Sequence, residues 1–199
     1  MMTNQGKFSS GGARVRRWGR VLALLTTLAV AACASEPSYR YGPNIAEASR
    51  HPGITCAPFA RELSGVRLYG DADAWWYAAA GRYDRGSRPR EGAVLVLRRT
   101  SRLPSGHVAV VSRVLAPRQV LVIQANWVHD ELAQDQLAVD VSPYNDWTEV
   151  RMWWPPTNTL GIRTYPAYGF ILPSRPIGHD ALRRYALRAA DQSLADIGR

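Results

Sequence analysis

Cysteine is scarce: the 199 residues hold two, Cys33 and Cys56. No Cys–His spacing resembles a zinc site, so no metal is expected, and nothing points to another cofactor. Acid is missing from one stretch, since residues 1–32 carry Lys7, Arg14, Arg16, Arg17 and Arg20 and neither Asp nor Glu. Setting those five aside leaves 20 basic against 16 acidic residues, and the formal charge falls from +9 to +4. What remains has no basic stripe, which argues against nucleic acid as a partner. There is no internal repeat. The apolar run Val21–Ala32 has twelve residues, too few to span a bilayer comfortably, which takes about 20. With 46% hydrophobic and 21% charged residues, the chain is too apolar for disorder and suits one globular domain with a real core.

Arg14–Arg20 reads as a basic n-region and Val21–Ala32 as its apolar partner, so residues 1–32 are expected to be a signal peptide. The run ends Val30-Ala31-Ala32-Cys33, which resembles the lipobox of bacterial lipoproteins. That resemblance implies cleavage before Cys33, lipid on its sulfur, a membrane partner through that lipid, and a periplasmic location. Ala34 after Cys33 suggests outer-membrane sorting by analogy with other lipoproteins. An ordinary secretory signal with a spare cysteine is the alternative. If Cys33 is lipidated, Cys56 has no disulfide partner and remains a free thiol in an oxidising space. Residues 33–50 mix Pro, Gly, Ser and Tyr without periodicity and read as a tether, with ordered structure expected from near Ile54.

Thr55-Cys56-Ala57-Pro58-Phe59 looks like a helix start, because Thr55 can cap and proline is tolerated in a first turn. Gly65 is a plausible stop. Asp71–Ala80 reads as a second helix. Strands are expected at 93–97, 107–114, 119–125, 137–141, 148–153 and 167–172, with His107–Val114 apolar enough to be buried on both faces. Asp180–Ile197 reads as a terminal amphipathic helix, with Leu182, Tyr185, Ala186 and Ala189 near one stripe. Helices first and antiparallel strands after give an α+β fold: N-terminal helices packed on an antiparallel β-sheet, with an extra C-terminal helix over 174–199.

Cys56 sits at a helix N-terminus, where unpaired N–H groups and the helix dipole favour a thiolate and can bind an oxyanion. A buried, inert cysteine is the other reading. Of the four histidines, His51 lies in the tether, His129 in a loop and His179 at the start of the last helix. His107 opens an apolar strand, where a purely structural histidine is common. If the turn at 115–118 is symmetric, His107 faces Asn126 across the hairpin, with Gln124 one pleat away on the same face. An imidazole needs such a neighbour to fix its tautomer.

Cys56-Ala57-Pro58-Phe59-Ala60, Gly106-His107-Val108-Ala109-Val110-Val111 and Val122-Ile123-Gln124-Ala125-Asn126-Trp127 together resemble a CHAP domain, a papain-like cysteine amidase/peptidase family. Glu91–Val96 and Tyr168–Ile171 resemble its flanking strands. The resemblance covers the expected domain over 51–173. It implies a papain-like fold and a peptidoglycan hydrolase cutting an amide of the stem peptide, either at the muramoyl–L-alanine bond or within the peptide. It makes Cys56 the nucleophile and His107 the base that deprotonates it or pairs with it as an ion pair. Gln124 stands where many members carry Glu, and a neutral amide cannot offset an imidazolium as a carboxylate would. That leaves Gln124 or Asn126 as the third residue. It also leaves a weakly active or non-catalytic wall-binding scaffold as the rival function. Trp127 is expected at the groove rim as a substrate-binding side chain, and Trp75-Trp76 in the core. Arg98, Arg99 and Arg102 precede His107 in a loop and either meet stem-peptide carboxylates or are simply solvated.

Overall fold

The structure is a computed structural model and describes residues 47–175 and 177–197. The stretch expected to be a signal peptide over 1–32, the expected lipidation site Cys33 and most of the expected tether over 33–50 lie outside the described residues. The elements are β1 (Glu47–Arg50), α1 (Cys56–Ser64), a 3-10 turn at Ala72–Ala74 running into α2 (Trp75–Ala78), β2 (Asp84–Gly86), β3 (Val94–Leu97), β4 (His107–Ala116), β5 (Gln119–Ala125), β6 (Glu131–Asp140), β7 (Glu149–Trp154), β8 (Thr159–Leu160), β9 (Tyr165–Leu172) and α3 (His179–Ile197).

The expected α+β, papain-like arrangement, N-terminal helices packed on an antiparallel sheet, is overturned. Strands run in the order β6-β5-β4-β3-β9-β7, and β7 pairs back onto β6 through Ala138↔Met152, Val139↔Arg151 and Asp140↔Val150. The result is a closed six-stranded antiparallel barrel with short strands appended: β1 on β6, β2 on β9 and β8 on β7. The reason lies in the two faces of each strand, since successive side chains point to opposite sides. Leu95, Leu97, Ala109, Val111, Val120, Val122, Ala138, Val150, Met152 and Phe170 form one buried cluster, with a contribution from every barrel strand. Val94, Val96, Val108, Val110, Ile123 and Ile171 form a second, which α1 and α3 cover. Three short helices cover one apolar face, and the sheet buries the other by closing on itself.

Two smaller expectations change with it. Ordered structure begins before Ile54, because Glu47–Arg50 pairs with residues 131–134 of β6. The second helix is a 3-10 turn and a single α-turn rather than ten residues of helix. Helix α1 forms as its sequence suggests. Thr55 has extended geometry at the N-cap, Pro58 lies in the first turn, and Gly65 (φ 72°) closes the helix with its N–H on Arg61 O at 3.0 Å. Phe59, Ala60 and Leu63 face the barrel.

Helix α3 docks through Leu182 and Ala186, both fully buried in the same cluster as α1. Its first turn is fixed by the His179 ring on Ser112 O (3.0 Å), and Arg183 lies 3.4 Å from Asp135. Leu182→Ala is therefore expected to cost about 2–5 kcal/mol of unfolding free energy in urea titrations. The same truncation at Leu187, 40% exposed one turn later, is expected to cost about 0.5 kcal/mol or less. Equal losses would mean that α3 does not dock by this stripe.

Candidate active site

All six barrel strands present an end to one side of the molecule: β3 ends at Leu97, β4 begins at His107, β5 ends at Ala125, β6 begins at Glu131, β7 ends at Trp154 and β9 begins at Tyr165. The chemistry-bearing residues gather there. Gly106 (φ 71°) turns the chain into β4 so closely that a Cβ on it would fall 2.7 Å from Leu97 O. His107 follows directly.

His107 is 3% exposed. Its Nε2 lies 2.9 Å from Gln124 Oε1, and the Gln124 amide nitrogen donates in turn to Gln136 Oε1 at 2.7 Å. Because Oε1 accepts, Nε2 carries the proton and Nδ1 keeps its lone pair. Burial drives the imidazole pKa down from 6.5 to about 4, and the bond to Gln124 only partly opposes it. His107 is thus an uncharged base near neutral pH.

Cys56 is a half-buried free thiol at the start of α1. Thr55 makes no side-chain cap and Pro58 has no N–H, so the first turn keeps the Cys56 and Ala57 N–H groups for other use. Both bond the sulfur, as does the N–H of Val108 on β4, and all three lower its pKa. Burial outweighs them and pushes the thiol up. The helix N-terminus alone therefore does not produce a standing thiolate here, because desolvation is the larger effect. No hydrogen bond joins Sγ to the imidazole in this structure, and Cys56 meets β4 one residue beyond His107.

The hairpin register near the site is the one a symmetric turn implies, with Val110 opposite Ile123 and Val111 opposite Val122. Bulges nearer the turn bring Ala116 opposite Gln119. Of the two candidate partners, Gln124 reaches His107. Asn126 adopts the left-handed region (φ 59°), accepts the Asp130 N–H on Oδ1 at 3.0 Å and shapes the turn from β5 into β6. Trp127 packs against the imidazole with ring centroids 5.0 Å apart and against Tyr165 at the same separation, and its Nε1 donates to Trp153 O. Trp75 is wholly buried, whereas Trp76 stacks on Tyr168 at 5.6 Å. Arg99 is committed to Asp71 and Asp73, and Arg98 to Ala167 O and the face of Tyr168.

Gln136 is the site residue that sequence reasoning missed. The strand was expected only from Leu137, yet β6 starts at Glu131, and Gln134, Asp135 and Gln136 are all buried in it. Asp135 (φ 49°) is the extra residue of a bulge that sets Val122 opposite Gln136 and Gln124 opposite Ala133. Among the described residues, no group of three His, Cys, Asp or Glu side chains is placed to hold a metal ion.

The neutral His107–Gln124 pair has a measurable signature. His107 is expected to stay unprotonated down to about pH 4 in an NMR titration. Because an unfolded histidine protonates from about 6.5, this residue's contribution to stability is lost as pH falls from about 6.5 to about 4. Gln124→Glu places a carboxylate on Nε2–H and is expected to move the titration midpoint upward and to speed Cys56 alkylation at pH 6. An unmoved or lowered midpoint would contradict the assignment of Gln124 as the group facing the imidazole.

No curated protein matches the sequence. Residues 46–126 match the family model of the CHAP domain, which implies a hydrolase of amidase or peptidase type with peptidoglycan as substrate. Over this segment, which carries Cys56, His107, Gln124 and Asn126, the chain is similar to the CHAP domain family.

Proposed function

We propose that this protein cleaves an amide bond of the peptidoglycan stem peptide through a Cys56 thioester. The observation that supports this most directly is the orientation of His107: Gln124 holds Nε2–H, which leaves Nδ1 as a free base at the barrel end where α1 presents Cys56.

The reaction starts from an uncharged thiol and an uncharged imidazole. As Sγ attacks the amide carbonyl carbon, its proton passes to Nδ1, and the carbonyl π electrons move onto oxygen. The uncapped N–H groups at the start of α1 donate to that oxyanion. The C–N bond then breaks, with the Nδ1 proton going to the leaving amine. In the second half, Nδ1 takes a proton from water as its oxygen attacks the thioester carbonyl, and the thiol leaves with that proton. Gln124 keeps the ring in the productive tautomer throughout. Its neutrality makes the transient imidazolium costly, so the charge is best formed beside the oxyanion it pairs with.

The same proposal includes export and anchoring by lipid on Cys33, supported by the Arg14–Arg20 stretch, the apolar run Val21–Ala32 and the lipobox-like Val30-Ala31-Ala32-Cys33. The neutral Gln124 and the raised thiol pKa favour one second reading, a wall-binding scaffold without turnover.

Purified sacculi separate the two. The wild-type protein is expected to release soluble fragments carrying new amine termini by mass analysis. Cys56→Ala and His107→Ala are expected to lose that activity by about a thousandfold or more while still binding sacculi. Equal release by wild type and Cys56→Ala, or binding with no release by either, would sink the hydrolase reading and leave the scaffold.

A further inference from the structure

Trp127 also borders a cavity of about 470 Å³ at the mouth of the barrel. Leu103, Met152, Trp154 and Tyr165 line it with Trp127, and Arg102 and Arg163 stand at its edge. The two arginines also border an adjoining recess with Thr100, Ser101 and Thr164. Neither recess has an acidic residue in its lining.

Charge distinguishes this place from its surroundings at the barrel mouth. Other arginines near the barrel mouth are engaged: Arg98 with Ala167 O, Arg99 with Asp71 and Asp73, and Arg151 with Gly161 O at 2.7 Å. Among the described residues, the guanidiniums of Arg102 and Arg163 have neither an ion pair nor a hydrogen bond. Two unpaired forks converging on an aromatic-walled recess match a planar anion whose neighbouring atoms are apolar or flat. The recess is also close to the chemistry, since the indole that forms its wall packs on His107 at 5.0 Å. Whatever occupies it lies one ring beyond the imidazole.

We infer that this cavity is a substrate subsite that receives a carboxylate-bearing residue of the peptide being cut, with Arg102 and Arg163 on the carboxylate and Trp127 and Tyr165 against the adjoining chain. The inference rests on the proposed peptide substrate and adds a selectivity: acidic stem peptides are held in preference to amidated ones. Arg163, Tyr165 and Trp127 lie beyond residues 46–126, so this preference is written outside the segment that holds the reacting pair.

The test uses binding, so that it does not depend on turnover. Full-length Cys56→Ala protein is titrated with a synthetic stem peptide bearing free carboxylates and with the same peptide carrying carboxamides in their place, followed by calorimetry and by tryptophan fluorescence. The acidic peptide is expected to bind about tenfold more tightly, with the preference shrinking as salt is raised. Adding Arg102→Gln and Arg163→Gln is expected to abolish the preference, and Arg→Lys at both positions to keep part of it. Both side chains are exposed, so the fold is expected to survive, with an unchanged circular dichroism spectrum as control. Equal affinity for the two peptides, no binding of either, or a preference that survives both glutamines would overturn the subsite. A clear preference in a protein whose wild-type form releases nothing from sacculi would uphold the subsite and reject the hydrolase.

Discussion

Val108 and Ala109 leave β4 in opposite directions, and both are completely buried. The rest of the structure depends on covering both sides of that strand. On the Val108 side the cover is α1 and α3, through Phe59, Leu63, Leu182 and Ala186. On the Ala109 side it is the sheet itself, which curls until β7 meets β6. The helices bring Cys56 to the start of β4. Closure puts His107, on the Ala109 side, into a dry barrel end beside Gln124 and Trp127. Cys56 and His107 therefore come from the two different solutions to one burial problem, and both lie where the strand begins.

The cost of that placement is electrostatic. Holding an imidazole at a pKa of about 4 rather than 6.5 amounts to roughly 3 kcal/mol against its charged form. A carboxylate in place of Gln124 would return much of that, whereas an amide returns only a hydrogen bond. What Gln124 does supply is direction. Its nitrogen is held by Gln136 at 2.7 Å, so its oxygen faces His107 and the tautomer is set by an amide that is itself held in place. The site is built to keep a neutral base well aimed rather than to store a charged pair. Of the two forms expected for the Cys56–His107 pair, the raised thiol pKa and the lowered imidazole pKa favour the uncharged one over a standing ion pair.

Much of this was legible in the residues. Thr55 through Gly65 spelled out a helix start and stop, and the His107–Asn126 hairpin showed its register because both strands are rich in β-branched residues around a short turn. Closure was not legible. It rests on β6 meeting β7, and β6 disguises its first half with Gln134, Asp135 and Gln136, which read as loop but are buried. At a bulge two of them bond other buried polar groups, Asp135 accepting from Ser112 at 2.7 Å and Gln136 from Gln124 at 2.7 Å. The same blind spot hid Gln136. It also left Asn126 level with Gln124 as the partner of His107, since only a left-handed backbone at Asn126 tells them apart.

The barrel also explains how one end of the molecule divides its work. Cys56, His107 and Gln124 come from α1, β4 and β5, elements that pack tightly and tolerate little change of volume. The cavity wall comes from the β3–β4 loop, the end of β7 and the approach to β9, and Ile162 beside it is 90% exposed. Loops at a strand end vary without disturbing the ladder beneath them. Trp127 belongs to both sets, since its ring packs against the imidazole and also lines the cavity. The indole thus connects the cavity to the imidazole, while the strands that set the Nε2–Gln124 bond are fixed by their pairing.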